Sequence, residues 1–393
     1  MGGSRRIGAA WSDLPQEIVE KIANCLDTET DVLRFRAICS SWRSATTPFK
    51  RFPPTPLKLP FPVNPGKPLN PRHKDAYYIL IERTVYRVQL PEITEPRFWL
   101  VKTERSSDGK LRILNPVSDH QIKILPQTQL PKLLNTLDFR ISEVCKGYTL
   151  RYMNPAKSKK NHEYKLGKSK KVIVSGDAKN DEYFIMAILN NELWSIKSGD
   201  ENWTMVRWKW GYSDCIDVAS HNGEIYGIDV AGCSWVFDSM FEPRNIGRSM
   251  YKVPVRKAGA MIKISRIDNQ RGKWPRWVEV KTVGHQIIFV GEDCSFSVPA
   301  EEFEGCKGTR VFYTNRHVCF LTEERYRDAG YDKTDPHDYY FVPSDDVKLK
   351  FRELHGHNMI GVRDFATGKT GSVLMFTEYA DIFWPPPSWL TRT

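Results

Sequence analysis

The chain has 393 residues, 40% hydrophobic and 27% charged, which fits a globular protein of two or three domains and excludes a disordered one. No apolar run reaches the 18 residues that a membrane helix needs, so no membrane partner is expected; the opening Met-Gly-Gly-Ser-Arg-Arg lacks a signal-peptide core and a myristoylation pattern. The 58 basic against 47 acidic residues give a formal charge of +11, and eight cysteines without any Cys-x-x-Cys read as reduced core residues of an intracellular protein, in nucleus, cytoplasm or both.

In chain order, residues 1–10 are expected to be a flexible arm and 11–47 a helical unit. Asp13 is placed to cap a first helix, with Gln16 completing a capping box and Pro15 tolerated in the first turn. Leu14, Ile18, Ile22 and Leu26 recur every four residues, and Val19 and Ala23 widen that stripe. After a polar break at 28–31 come Val32, Leu33, Phe35, Ala37, Ile38, Cys39 and Trp42, more than a single stripe can hold. One face can pack on the first helix; the other needs a partner. About forty residues make too small a core to be secure alone. Burying roughly six such side chains at about 1.5–3 kcal/mol each offers a partner substantial gross energy, before association costs. The same pattern fits a helical hairpin docked on the rest of the chain.

These residues resemble a family motif. Leu14-Pro15-x-Glu17, Ile22, Leu26, Asp31-Val32, Phe35-Arg36, Ile38-Cys39 and Trp42-Arg43 are similar to an F-box in the wording typical of plants. The resemblance implies a three-helix unit that binds the Skp adaptor and, through it, the cullin and RING subunits of Skp–cullin–F-box (SCF) ubiquitin ligases. It assigns adaptor contact to Leu14, Pro15, Ile18, Ile22 and Leu26 in the first helix. Beyond it, the assignment covers Val32, Phe35, Arg36, Ile38, Cys39, Trp42 and Arg43. Val32 and Ile38 stand where Leu and Val are usual, and keep the apolar character.

Residues 48–72 hold nine prolines and are expected to be an extended linker, at about 3.1 Å per residue if polyproline II, or a segment lying on the next domain. From 73 to 393 the apolar period becomes two. Segments 192–196, 224–228, 286–290 and 317–321 share a polar–apolar–large–x–apolar form, and 84–88 and 358–362 fit it at other spacings. Strand–turn–strand units repeated in this way predict a β-propeller with irregular insertions, with a β-sandwich or barrel as the alternative. Ile113-Leu-Asn-Pro-Val117, Asn222-Gly-Glu-Ile-Tyr-Gly-Ile-Asp229 with Trp235-Val-Phe-Asp238, and Ile382-Phe-Trp-Pro-Pro-Pro-Ser-Trp389 resemble plant F-box proteins that carry the C-terminal domain of unknown function 295, notably those described as Skp-interacting partners. The expected fold class is therefore α+β and multidomain: a small three-helix F-box followed by an all-β, propeller-like domain that receives an unknown protein substrate.

Two basic clusters, Lys157-Ser-Lys159-Lys160 and Lys168-Ser-Lys170-Lys171, read either as a bipartite nuclear import signal or as a solvated loop. A basic nucleic-acid or chromatin-binding protein is the second reading of the chain; few aromatics stand in this run to stack on bases. A propeller binding a small molecule is the third. His355-Gly-His357 lacks a cysteine partner at metal spacing, and Asp332, Asp335 and Asp338 lack the glycine and final glutamate of a calcium loop. No nucleophile elbow, zinc-protease helix or phosphate loop occurs, so no catalytic residue, metal or cofactor is expected and the chain is read as non-enzymatic. The terminal Phe383, Trp384 and Trp389 around three prolines read either as a partner peptide or as a tail packed across the domain edge with Trp384 and Trp389 buried, and the packed tail is expected.

Overall fold

A computed structural model describes residues 11, 14–64, 71–89, 98–105, 110–122, 139–155, 171–177, 181–206, 215–221, 223–229, 233–238, 242–247, 264–268, 276–302, 310–314, 360–373, 376, 379 and 382–383. Helices α1 (Gln16–Ala23), α2 (Glu29–Ala37) and α3 (Ser40–Ala45) come first. The α1 boundary differs from the expected capping box: Pro15 occupies the N-cap without a side-chain cap, and Gln16 instead bonds the Glu20 carboxylate at 2.8 Å. Asp13 lies outside the described residues. Thr28 caps α2 by accepting from the Asp31 amide at 3.1 Å, and the Cys39 sulfur caps α3. Val19, Phe35 and Trp42 form the small core of this unit, with Phe35 and Trp42 ring centroids 4.3 Å apart.

The first sheet contains β1 (Leu57–Pro60), β2 (Tyr77–Gln89), β3 (Phe98–Arg105), β4 (Leu111–Leu114) and β5 (Arg140–Met153). Strand β2 is its spine, pairing with β5 along one edge and with β1 and then β3 along the other. The second sheet runs β6 (Lys171–Asp177), β7 (Glu182–Leu189), β8 (Glu192–Lys197) and β9 (Thr204–Met205). The third runs β10 (Cys215–His221), β11 (Glu224–Asp229), β12 (Ser234–Phe237) and β13 (Pro243–Gly247). A pair follows, β14 (Ile264–Asp268) and β15 (Arg276–Val280). The fifth sheet holds β16 (Gln286–Val290), β17 (Ser295–Pro299), β18 (Arg310–Thr314), β19 (Ile360–Asp364) and β20 (Thr370–Ser372) in the order β17-β16-β18-β19-β20.

The second sheet covers apolar faces of both the first and the third. On β7, Ile185, Ala187 and Leu189 face the first sheet, whereas Met186 and Ile188 face the third. A strand covered on both sides must read as a continuous apolar run, as 184–189 does. Trp203 Nε1 donates to the Pro60 carbonyl at 2.8 Å between the second and first sheets. Trp277 Nε1 donates to Ser234 Oγ at 3.1 Å between the fourth and third. The fifth sheet returns onto the first, which is the arrangement of a propeller.

That returning contact has two parts. Phe289 stacks on Phe296 and Phe312 at centroid distances of 4.7 and 4.9 Å, and Phe383 meets Phe289 and Phe312 edge-on. Each buried ring contributes about 1.5–3 kcal/mol. The C-terminal segment threads this seam: the Leu100 amide donates to the Ile382 carbonyl and Trp99 Nε1 to the Phe383 carbonyl, both at 2.9 Å. Beside the rings lies a buried ion cluster. Lys102, with no exposed surface, bonds Asp119 and, at 2.6 Å, Asp293. Arg83 reaches Glu104 at 2.8 Å, Asp119 at 2.6 Å and Asp293 at 3.3 Å, and Arg151 closes on Glu104 at 2.6 Å. Burial pushes the Glu104 and Asp293 carboxyls up, but the facing cations outweigh it and hold both below the usual range. Asp119, pushed by burial and by the charge of Asp293, moves the other way.

Two expectations change. Within the 48–72 segment, expected as a linker, residues 57–60 are a strand of the first sheet. Alternating Leu57 and Leu59 bury against the second sheet, which outweighs the solvation of an extended proline arm. The repeat at 192–196 and 224–228 is no blade period either, since β8 is third in its sheet and β11 second. What the two share is position after a tight turn: Asn190 and Asn191 both have positive φ, as a two-residue hairpin demands, and Gly223 has φ 81°. Segment 286–290 is β16, while 317–321 lies outside the described residues.

Gly361→Ala should lower stability by about 1–3 kcal/mol, because the added methyl would meet the buried Tyr313 ring at 2.2 Å; a denaturant midpoint measures it. Lys102→Met should cost about 3–5 kcal/mol at pH 7, because Arg83 is then left to face both Asp119 and Asp293. Carboxyls held low in the folded state stabilise it above their ordinary values, near pH 4, and this contribution fades as pH falls. Of the two, Asp293 is the one that Lys102 holds low, so the difference in melting temperature between wild type and Lys102→Met should narrow as pH falls below about 4.

Candidate protein-docking surface

The helical unit divides its apolar residues between two tasks. Val19, Val32, Phe35 and Trp42 are buried, and Leu14, Ala23, Leu26, Cys39 and Ala45 pack against that core. Outside it, Ile18 and Ile22 stand one turn apart on α1 and are 41% and 36% exposed. On α2 and its C-cap, Leu33 and Ile38 are 60% and 56% exposed. Val32 and Phe35 are three apart and face inward, so helical geometry directs Leu33 outward. Trp11 is also largely exposed, although its carbonyl accepts from Trp42 Nε1 at 3.3 Å. Large apolar side chains left open on so small a unit mark a protein-docking surface.

The twelve positions singled out from sequence thus fall into three groups. Pro15, Ile18, Ile22 and Ile38 are exposed. Leu14, Leu26, Val32, Phe35, Cys39 and Trp42 build or support the core. Arg36 and Arg43 knit α2 to α3: Arg36 Nη1 donates to the Arg43 carbonyl at 3.1 Å and to the Thr46 carbonyl, and Arg43 Nε donates to the Arg36 carbonyl at 3.2 Å. Leu33 and Trp11, absent from that set, are the most exposed apolar residues of the unit.

The surface is fixed to the propeller. Arg34, on α2, donates to the β5 carbonyl of Ile141 at 2.9 Å and to that of Phe139 at 3.3 Å. Glu29 pairs with Arg51 and lies 3.7 Å from Arg105 of β3, and Lys146 of β5 sits over the Phe49 ring. Sequence reading passed over Arg34, whose partners lie more than a hundred residues away and are backbone oxygens, which carry no residue signature.

Of the basic run, Lys171 is buried at the start of β6 and 3.6 Å from Asp217, so it belongs to the sheet rather than to a solvated cluster. Lys157, Lys159, Lys160, Lys168 and Lys170 lie outside the described residues, as do His355, His357, Asp332, Asp335, Asp338, Trp384 and Trp389. Among the described residues no group of three or more His, Cys, Asp or Glu has metal-holding geometry.

Comparison with known proteins agrees with this architecture. Residues 11–52 match the F-box domain and residues 77–344 match the KIB1-4 beta-propeller. F-box protein At2g17036 of Arabidopsis thaliana is 26% identical, over 98% of this chain and 95% of its own length. F-box protein SKIP23 of the same plant is 25% identical, over 97% and 95%. An exposed apolar helical surface bonded to a ring of sheets, matched over most of its length, places the chain in the KIB1-4 beta-propeller family, with an F-box ahead of the propeller.

Proposed function

We propose that the chain is a substrate-recognition subunit of an SCF-type ubiquitin ligase. In this reading the F-box docks a Skp-type adaptor, through which the cullin and RING subunits join, and the propeller receives a protein substrate. The observation that carries it is the set of open apolar side chains Ile18, Ile22, Leu33 and Ile38, on a unit whose core is filled by other residues. Membership among F-box proteins, typically non-catalytic adaptors, supports it. Such a subunit contributes proximity, not bond-making: it raises the effective concentration of a substrate lysine beside the loaded enzyme. The remaining basic residues, Lys157, Lys159, Lys160, Lys168 and Lys170, serve in this reading as an import signal.

Leu33→Asp with Ile38→Asp should reduce capture of a Skp-type adaptor at least about tenfold, with melting temperature unchanged, since a buried contact of about 1.5–3 kcal/mol is lost for each side chain. Trp42→Ala should instead lower the melting temperature, because it empties the core. Full adaptor capture by the double variant would sink the reading. Replacing Lys168 and Lys170 with Ala should lower the nuclear fraction of a tagged protein, and an unchanged distribution would remove the import role.

A further inference from the structure

We propose that Cys145 and Cys294 are a redox-modified pair, whose reversible disulfide locks the first sheet of the propeller to the fifth. Their sulfurs lie 3.5 Å apart although the residues are 149 positions apart in sequence. Cys145 is on β5, and Cys294 is in the turn between β16 and β17. The approach is built into the backbone. In the pairing of β2 with β5, Val85 faces Cys145 and Tyr86 faces Glu143, which leaves Val144 as a bulge. That extra residue resets the side-chain alternation of β5, so that Val144 and Cys145 both pack on the aromatic core of the seam. On the opposite side the Gly291 amide donates to the Cys294 carbonyl at 3.0 Å, closing the turn that presents the thiol. Gly147 leaves room for it: a methyl there would stand 3.0 Å from Cys294 Cβ.

Access and reactivity divide between the two. Cys145 is partly exposed and Cys294 is 6% exposed. The hydrogen-bonded contact with Cys145, in which Cys294 keeps its proton, and burial push the Cys294 thiol well above its ordinary pKa, against the pull of Lys102. Cys145 therefore reacts first. Its thiol gives up a proton to solvent, and the thiolate attacks a hydroperoxide oxygen. The O–O bond breaks, giving the Cys145 sulfenic acid and a hydroxide (or an alkoxide from an organic peroxide), which takes a proton back from solvent to leave as water or alcohol. The Cys294 sulfur then attacks the Cys145 sulfur, the S–O bond breaks, and hydroxide leaves as water with the proton of Cys294. Two thiols are oxidised by two electrons in total and one peroxide is reduced by two. The sulfurs need to close by about 1.5 Å to reach bond length, within the reach of side-chain rotation. The resulting loop encloses the second, third and fourth sheets, so the bond removes much of the freedom of the opened ring. Cys25, Cys39, Cys215 and Cys233 lie elsewhere and form no disulfide, and Cys306 and Cys319 lie outside the described residues.

The test treats the full chain with graded hydrogen peroxide, blocks remaining thiols with an alkylating agent, and maps its peptides without reduction. The expected result is a peptide linking Cys145 to Cys294, released by dithiothreitol. Melting temperature should rise by roughly 5–10 °C on oxidation and fall back on reduction. Cys145→Ser should abolish both the linked peptide and the shift. Alkylation of both cysteines after peroxide, a sulfinic acid at Cys145 without a link, or a different disulfide would each overturn the proposal. The wild-type comparison with and without dithiothreitol decides the matter even if the variant fails to fold.

Discussion

A ring of sheets is only as firm as the seam where its ends meet, and here that seam joins β3 and β5 to β16, β17 and the C-terminal segment. Hydrophobic burial around Phe289, Phe312 and Phe383 supplies its energy but says little about alignment, because stacked rings tolerate sliding. Alignment comes from the ion cluster. Leu100, Lys102 and Glu104 alternate on the inward side of β3, and all three are buried. A one-residue slip would turn the Lys102 ammonium away from Asp119 and Asp293 and leave Arg83 to face both carboxylates. Buried ion pairs add little net stability over apolar residues of the same shape, so the contribution of this cluster is register.

Strand β5 links that seam to the F-box. Near its start, Phe139 and the strand carbonyl of Ile141 hold Arg34; farther along, Lys146 covers Phe49, and Cys145 and Gly147 face the fifth sheet. The distance between the docking surface and the propeller is thus set by one paired strand instead of a proline spacer, and β1 anchors the intervening chain a second time. A subunit that works by proximity benefits from such rigidity, since effective concentration falls when the tether can reach many orientations.

How much of this was legible in the sequence depends on the range of the interaction. The F-box spacing, the strands at 192–196, 224–228 and 286–290, and the change from helical to alternating period are local, so they could be read directly. The ion cluster joins Arg83 to Asp293 across 210 positions and carries no local trace, except that Lys102 falls on the inward register directly after the apolar run 98–101. Packing of the tail was legible in its aromatics, as the buried Phe383 shows, whereas the bonds made to the Ile382 and Phe383 carbonyls carry no residue signature. The repeat misled because a tight turn imposes its own sequence on the strand that follows, whatever that strand's place in the sheet.

The F-box motif mixes two selections that sequence cannot separate. Phe35, Trp42, Arg36 and Arg43 hold α2 against α3, whereas Ile18, Ile22 and Ile38 do nothing for that core. Yet the two sets depend on each other. With Val19, Phe35 and Trp42 as its buried apolar anchors, the unit has too little core to hold its helices alone. Arg34 and Glu29 borrow stability from the propeller on one side. The exposed isoleucines and Leu33 leave apolar surface that, in the proposed role, an adaptor would cover, and docking would then complete a fold that the chain supports only in part.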